Sequence, residues 1–376
     1  MSIAREATHP RPLHTALVMA GGTGGHVMPA LAVAESLRDD GWRVAWLGTK
    51  QGMEARIARE RGFEMAWIDF AGVRGKGLLR LVRLPFQMLA AFWQARQAIR
   101  RYKPDVAVGL GGYVAFPGGM MAFLSGKPLV IHEQNAVAGL TNRVLACLAK
   151  RVLLGLPGAF SQGMDKPLLC GKVNAEWVGN PVRPKIAGVP APAERYAGRE
   201  GRLRLLVIGG SLGATVLNDV VPRALAQMHA EVRPEVRHQA GARNIDALRA
   251  NYAAANVSAE CLPFIEDMAE AYAWCDVIVC RSGASTVAEL AAAGVPAGLV
   301  PYPFAVDDHQ TLNAHFLVDS NAAWLLPQNK LGADELATWL GSLTRAELLH
   351  RAESARALGK SEATQVMATI VKETAR

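Results

Sequence analysis

The sequence predicts an α/β protein built from two doubly wound, Rossmann-like parallel-sheet domains that face a cleft. Three observations predict it. Short apolar runs rich in Val, Ile and Leu alternate with longer helical patterns through both halves of the chain, which is the pattern of parallel strands joined by crossover helices. Each half opens with an apolar run that feeds a glycine loop and then a helix. Between the halves lies a linker around Pro181 to Gly201, where Pro181, Pro184, Pro190 and Pro192 sit among small residues. A length of 376 residues agrees with two domains of ordinary size.

In order along the chain, strands are expected at Ala16–Ala20, Arg43–Leu47, Val106–Leu110, Leu129–His132 and Val152–Leu154 in the first half. In the second they are expected at Leu203–Ile208, Val277–Cys280 and Ala297–Val300, with weaker candidates between. The N-terminal domain is placed at residues 1–183 and the C-terminal domain at 184–349. The tail from Ala333 to Arg376 reads as helix, and its last part, 350–376, is expected to pack back on the first domain.

Hydrophobic residues make up 51%, charged residues 20%, and the mean hydropathy is +0.12. That suffices for a sizeable core and excludes a disordered or collagen-like chain. The cysteines Cys147, Cys170, Cys261, Cys275 and Cys280 form no CxxC pair and no framework, which fits a reducing cytoplasm. Met1 to Thr15 is polar and the apolar stretch after it is short, so no secretory signal is expected. The longest apolar stretch, Leu290 to Val306, is interrupted by Gly294, Pro296, Gly298, Pro301 and Pro303, so an integral membrane protein is not expected either.

The net charge is +8. From Ala71 to Pro104 the chain carries Arg74, Lys76, Arg80, Arg83, Arg96, Arg100, Arg101 and Lys103 with no acidic residue. Among these lie Leu79, Val82, Phe86, Phe92 and Trp93. Such a mixture suits a surface that meets anionic lipid headgroups. It equally suits an amphipathic helix packed on a core with solvated arginines. No aromatic or glycine motif of the nucleic-acid-binding modules accompanies the charge.

The two main glycine loops are Gly21-Gly22-Thr23-Gly24-Gly25-His26 and Gly209-Gly210-Ser211-Leu212-Gly213, and a third is Gly109-Leu110-Gly111-Gly112-Tyr113. A strand, a glycine loop and a helix start present bare N–H groups and a positive dipole end to an anion. The dinucleotide fingerprint is not met, because Val27 stands where its third glycine belongs and the second strand ends in Gly48-Thr49-Lys50 without an acid. No Gly-Lys-Ser/Thr follows any of these glycine loops, so none of them is a Walker A motif.

The strongest local signal is Arg281-Ser282-Gly283-Ala284-Ser285-Thr286-Val287-Ala288-Glu289-Leu290 after the strand Val277–Cys280. Ser285 and Thr286 would open a helix that receives a diphosphate, and Glu289, one turn on, would accept both hydroxyls of a ribose. The other reading is a capping box, with Thr286 as the cap and Glu289 turned back on it. The chain contains no D-x-D triplet and no H-x-x-x-H pair, so no metal is expected at the diphosphate. Helix dipoles and basic groups would take its place.

Six motifs then appear in order: Gly21–His26, Gly111-Gly112-Tyr113, His132-Glu133-Gln134-Asn135-Ala136, Gly179-Asn180-Pro181-Val182-Arg183, Gly209-Gly210-Ser211 and Asp308-His309-Gln310. From about Leu17 to Asn313 the chain resembles the MurG family of bacterial cell-wall N-acetylglucosaminyltransferases. The resemblance implies a glycosyltransferase-B fold and no cofactor. The donor would be UDP-N-acetylglucosamine (UDP-GlcNAc) and the acceptor lipid I, undecaprenyl-diphospho-N-acetylmuramoyl-pentapeptide. Inverting transfer to the acceptor C4 hydroxyl would yield lipid II for peptidoglycan synthesis, at the cytoplasmic face of the inner membrane. An anionic membrane surface and proteins of cell-wall synthesis or division are the implied partners, and nucleic acid is not.

By position, the family's donor contacts fall on Thr23, Gly24, Gly25, Asn135, Arg183, Ser211, Ile265, Glu289 and Gln310, with Ala284, Ser285, Thr286, Val287 and Ala288 around the ribose and diphosphate. Gly21, Gly22, Gly111, Gly112 and Tyr113 would face the acceptor diphosphate. With a lipid acceptor, Leu79, Arg80, Val82, Arg83, Phe86, Phe92 and Trp93 read as membrane contacts. Leu212 replaces a common Gln, and Ala242-Arg243 replace a usual Lys. His26 is the first candidate for the base that takes the acceptor proton, since an imidazole with an ordinary pKa of about 6.5 suits neutral pH, and Glu133 is the second. His26 acting only as a hydrogen-bond donor is the alternative. Another UDP-sugar-dependent glycolipid glycosyltransferase or a UDP-sugar epimerase would share Ser285–Glu289 without needing His132–Ala136. A protein that binds UDP-sugar without consuming it is the third class.

Overall fold

The computed structural model describes residues 14–70, 78–161, 166–210 and 213–376, without the side chains of residues 78–83 and Val306. Ser211, Leu212 and the side chains of Leu79, Arg80, Val82 and Arg83 therefore lie outside the described residues.

The first half runs β1 Thr15–Met19, α1 Gly24–Asp39, β2 Arg43–Gly48, α2 Met53–Glu60, β3 Glu64–Trp67, α3 Leu78–Tyr102, β4 Val106–Gly109, α4 Ala115–Leu124, β5 Leu129–Glu133, α5 Leu140–Leu145, β6 Arg151–Leu154 and β7 Ala175–Trp177. The second runs α6 Pro184–Ala187, α7 Pro192–Tyr196, β8 Arg204–Ile208, α8 Thr215–Gln227, β9 Glu235–Gln239, α9 Ile245–Ala254, β10 Glu260–Leu262, α10 Met268–Trp274, β11 Val277–Cys280, α11 Ala284–Ala293, β12 Ala297–Leu299, α12 His309–Val318 and β13 Ala323–Leu325. Helices α13 Ala333–Ser342, α14 Arg345–Leu358 and α15 Ala363–Thr374 close the chain.

Among the described residues the first sheet has seven strands in the order β3-β2-β1-β4-β5-β6-β7 and the second six in the order β10-β9-β8-β11-β12-β13. Every pairing is parallel. The strand order reverses between β1 and β4 in one sheet and between β8 and β11 in the other. A crevice opens beyond the carboxyl ends of the strands at each reversal, and ligands of such sheets bind there. All three glycine loops and the Arg281–Leu290 stretch follow these four strands.

Helices cover both faces of each sheet, which is why the central strands read as unbroken apolar runs. Along β1, Leu17 and Met19 face the layer that holds Ala91, Ala95 and Ile99 of α3, while Ala16 and Val18 face that of Val33 and Leu37 of α1. The expected strands all form. Strands β3, β7, β9, β10 and β13 were weak or absent in the sequence pattern, because they are short or carry outward polar residues such as Glu235 and Arg237 of β9.

The chain leaves the first sheet after β7, and Ile186 of α6 packs in the second domain's core together with Leu156. The return is shorter than expected. Helix α14 stays with the second domain, where Leu348, Ala352 and Ala355 are buried. Only α15 crosses back, placing Met367, Ala368, Ile370 and Val371 in the first domain's core against α1. Burying Met367, Ile370 and Val371 stabilises that docking by roughly 1.5–3 kcal/mol each.

The cysteine expectation is corrected as well. Cys147, just after α5, is disulfide-bonded to Cys170, with Cα atoms 5.7 Å apart. The spacing resembles no motif, and the fold alone brings the two together.

Candidate active site

At the first reversal the loops after β1 and β4 touch. A Cβ on Gly112, whose φ is +78°, would stand 2.1 Å from the Gly21 carbonyl oxygen, so only glycine admits this approach. Helix α1 starts at Gly24, inside the glycine loop, and its N-cap Thr23 makes no side-chain capping bond. The first-turn amides thus lack a side-chain cap, as an anion seat requires. Thr23 Oγ1 instead lies 3.1 Å from His26 Nδ1.

His26 is half-buried, with Gly111 packed so close that a Cβ there would lie 2.9 Å from Nε2. Loss of water around the ring pulls its pKa down to about 4, and His309 of α12 acts in the same direction. The ring is therefore neutral at pH 7 and can accept a proton, but as a weaker base than the ordinary imidazole expected from the sequence. Helix α1 also meets α11 of the other domain.

The segment after β5 is a hydrogen-bond knot. His132 is fully buried and donates from Nε2 to the Gly179 carbonyl at 3.0 Å, which leaves Nδ1 to accept from Gln134 Nε2 at 3.1 Å. Burial pulls its pKa to about 4. Glu133 is also buried. Its Oε1 accepts from Asn135 N and Nδ2 at 3.0 and 3.2 Å, and its Oε2 from Gly139 N and Asn142 Nδ2 at 3.1 and 2.8 Å. Burial raises its carboxyl pKa and these bonds oppose the rise. The second-choice base is thereby corrected: both oxygens are committed inside their own loop, and Glu133 shapes that loop without reaching a substrate.

At the second reversal, α11 starts at Ala284 with Gly283 as an N-cap that makes no side-chain bond. The capping-box alternative fails there. Glu289 does not fold back on Thr286 but accepts from Arg183 at 3.2 Å on Oε1 and from the Tyr272 hydroxyl at 3.0 Å on Oε2. Burial raises the Glu289 pKa, and the Arg183 charge offsets part of that. Each oxygen keeps a further lone pair for a ligand hydroxyl. The Ser285 hydroxyl at the helix start is buried with no hydrogen-bond partner among the described residues, as expected of a group that waits for an acceptor.

Around this helix, Gln239 donates to the Gly210 and Pro263 carbonyls at 3.1 and 3.3 Å, tying the loop after β8 to the segment that holds Ile265. Gln310 accepts from Tyr302 N at 2.9 Å. The Ala284 side chain is buried, so only its backbone is available to a ligand. Val287 is corrected: its side chain is wholly in the core and its amide is bonded to the Gly283 carbonyl, so it has nothing to offer a ligand. Ala288 lines a small crevice between the domains with Trp177, Asn180 and Phe316.

Residues 16–154 match the glycosyltransferase family 28 N-terminal domain and residues 204–370 its C-terminal domain. The UDP-N-acetylglucosamine--N-acetylmuramyl-(pentapeptide) pyrophosphoryl-undecaprenol N-acetylglucosamine transferase of Dechloromonas aromatica (strain RCB) is 57% identical over 96% of this chain and 99% of its own. That of Azoarcus sp. (strain BH72) is 58% identical over 96% and 99%. The crystal structure of MurG from Acinetobacter baumannii superposes with a TM-score of 0.82 at 40% identity, over 96% of this chain and 99% of that one. The chain belongs to the MurG family. Its two parallel-sheet domains form the glycosyltransferase-B fold, and the family 28 domains make it a glycosyltransferase.

The MurG-like motifs that the sequence scatters over some 300 residues converge on the two reversals, apart from Ser211, which lies outside the described residues. The sequence reading missed Asn313, Tyr272 and Glu54. All three are single residues outside any motif, and only packing reveals them. On α3, Phe86, Leu89 and Trp93 are 73%, 66% and 62% exposed. Phe92 is half-buried, tilted against Phe116 of α4 with ring centroids 5.9 Å apart, and less exposed than those three.

Proposed function

We propose that the chain carries out the reaction for which its relatives are named, moving N-acetylglucosamine from UDP-GlcNAc to the C4 hydroxyl of the muramoyl sugar of lipid I. The observation that carries this reading is α11: an N-terminus without a side-chain cap and with an unpartnered Ser285 hydroxyl, and Glu289 one turn on with lone pairs to spare. A diphosphate fits the first and a ribose diol the second. The first turn of α1 at the facing reversal, where the resemblance puts the donor contacts Thr23, Gly24 and Gly25, is assigned here to the acceptor diphosphate instead, next to Gly111, Gly112 and Tyr113.

Displacement at the anomeric carbon requires the acceptor hydroxyl to lose a proton as it attacks. With Nδ1–H donated to Thr23 Oγ1, the His26 Nε2 lone pair is left to receive that proton. The α11 dipole, Ser285 and Arg183 spread the charge that builds on the departing UDP. No metal is needed at the diphosphate in this scheme.

Among the described residues no helix is long and apolar enough to cross a membrane. The exposed Phe86, Leu89 and Trp93, on a helix that continues into Arg96 and Arg100, support a peripheral seat on an anionic membrane. For a lipid I acceptor that is the cytoplasmic face of the inner membrane.

The test is UDP release from UDP-GlcNAc with and without a lipid I analogue, in buffer containing EDTA. Acceptor-dependent release that survives the chelator is the expected result. Release that never depends on the acceptor, with UDP-GlcNAc binding confirmed separately, overturns the reading.

A further inference from the structure

Glu54, in the first turn of α2, has no solvent exposure. Its Oε2 accepts from Gly22 N at 3.2 Å, and its Oε1 from Thr49 N at 3.0 Å and Thr49 Oγ1 at 2.8 Å. Because the Thr49 hydroxyl spends its proton on Glu54, it accepts from the Tyr113 hydroxyl, 3.3 Å away. One carboxylate thus ties the end of β2 to the loop after β1 and, through Thr49, to the loop after β4.

Three glycines make room for it. A Cβ on Gly21 would stand 2.8 Å from Glu54 Oε1, one on Gly48 2.8 Å from its Cγ, and one on Gly52 2.2 Å from both carboxylate oxygens. Gly21 therefore houses Glu54, in addition to any service to a ligand. A buried carboxylate is costly unless its lone pairs are filled, and placing it behind a loop read as a diphosphate seat needs a reason.

The geometry supplies one. Gly22 sits at φ +96° with its N–H turned inward to Glu54, so that amide cannot serve an anion. The negative charge behind it repels a phosphate from Gly21 and Gly22. What remains for the anion is the first turn of α1 at Gly24 and Gly25, with the Tyr113 ring against the neighbouring Gly22. We propose that Glu54 is a positioning residue for the acceptor: it fixes the loop after β1 and the Tyr113 hydroxyl so that the acceptor diphosphate settles on the α1 N-terminus beside His26. This rests on reading that loop as the acceptor side.

The experiment compares Glu54→Gln and Thr49→Val with the parent enzyme. It measures KM and kcat for a short-chain lipid-linked muramoyl-pentapeptide diphosphate, Kd for UDP, and Tm. Glutamine sets an N–H against one of the donors that the carboxylate satisfies, and valine removes only the Thr49 hydroxyl's bonds to Glu54 and Tyr113, leaving the Thr49 amide on Glu54. The expected result is an acceptor KM raised at least fivefold in Glu54→Gln and about threefold in Thr49→Val, with Kd for UDP within twofold of the parent. A merely structural role would lower Tm and the active fraction and leave both values in place. Should Glu54→Gln fail to fold, Thr49→Val carries the test. Gly25→Ala, whose added methyl meets nothing closer than Thr23 Oγ1 at 3.8 Å, is the control on the loop. If it raises the acceptor KM while Glu54→Gln and Thr49→Val do not, the role of Glu54 is wrong. If Gly25→Ala leaves the acceptor KM unchanged, the loop is not the acceptor's seat and the proposal falls with it.

Discussion

Asn313 Nδ2 donates to Asn135 Oδ1 at 3.1 Å, and this contact joins the two domains across the cleft. The same buried side chain accepts from Ala136 N at 2.9 Å and donates to the Ser282 carbonyl at 3.2 Å. Ser282 lies just ahead of α11 and Asn135 just after Glu133, so Asn313 sets the spacing between the donor helix and the loop of the other domain. Asn313→Ala would strand a buried amide and a buried carbonyl, at about 1–3 kcal/mol each. The expected outcome is a loss of stability of that order together with a kcat at least tenfold lower, measured by urea unfolding and UDP release. Asn313→Asp, which cannot donate to Asn135 or Ser282, should fare no better.

His26→Ala should lower turnover far more than UDP affinity. The comparison is kcat for acceptor-dependent UDP release against the Kd for UDP, and an equal loss in both would remove the base assignment. The pH profile supplies a second check. A ring pulled down to about 4 stays in its proton-accepting form as the pH falls from 7 to 5. The acceptor kcat/KM should therefore be level across that range, and a fall centred near the ordinary histidine value of about 6.5 would contradict it.

Much of this was legible in the residues, for a physical reason. Strands buried on both faces announce themselves as apolar runs, and glycines mark the turns that follow them, so β1, β4, β8 and β11 and their loops could be read directly. What escaped was set by packing. Strand β9 is paired on both edges, yet it carries Arg237 bonded outward to Glu260 and Glu270, so its sequence looks like a loop. Glu133 looked like a base because nothing in the sequence shows that its oxygens are used by Asn135, Gly139 and Asn142. Asn313 and Glu54 belong to no motif, and their importance lies in partners 177 and 32 residues away.

Acid should destabilise the protein through two buried histidines. His132 is held near 4, and His238, fully buried between Asn218 and Tyr252, near 3. Both lie below the unfolded value of about 6.5. Above that value neither state binds the proton and the stability is whole. As pH falls below it, the unfolded chain takes up protons that the fold refuses, and stability drains through the window from about 6.5 down to the folded values. At pH 5 each ring should cost roughly 2 kcal/mol. Denaturant unfolding at pH 7 and pH 5 measures this, and His238→Gln should lower stability at pH 7 while flattening its dependence on pH.

The bond between Cys147 and Cys170 closes a loop with a sequence separation of 23. Constraining the unfolded chain over that length stabilises a fold by about 3 kcal/mol. Reductant should lower the unfolding free energy by about that amount. Cys147→Ser should reproduce the loss and no longer respond to reductant, which separates the bond from any general effect of thiols.

The outer stripe of α3 gives the last prediction. Phe86, Leu89 and Trp93 follow one another at helical spacing and are exposed, whereas Phe92 is packed on Phe116. If the stripe enters the membrane, replacing Phe86 and Trp93 together with Ser removes two large apolar anchors whose transfer from water is worth roughly 1.5–3 kcal/mol each. Partitioning onto vesicles of anionic phospholipid should fall at least tenfold, while UDP release with a water-soluble acceptor analogue stays unchanged. Phe92→Ser tests the other side of the argument, since it should cost stability through the lost contact with Phe116. An unfolding midpoint that drops for Phe92→Ser and holds for the double variant, with vesicle binding lost only in the double variant, would assign the outer face to the lipid and the inner face to the core.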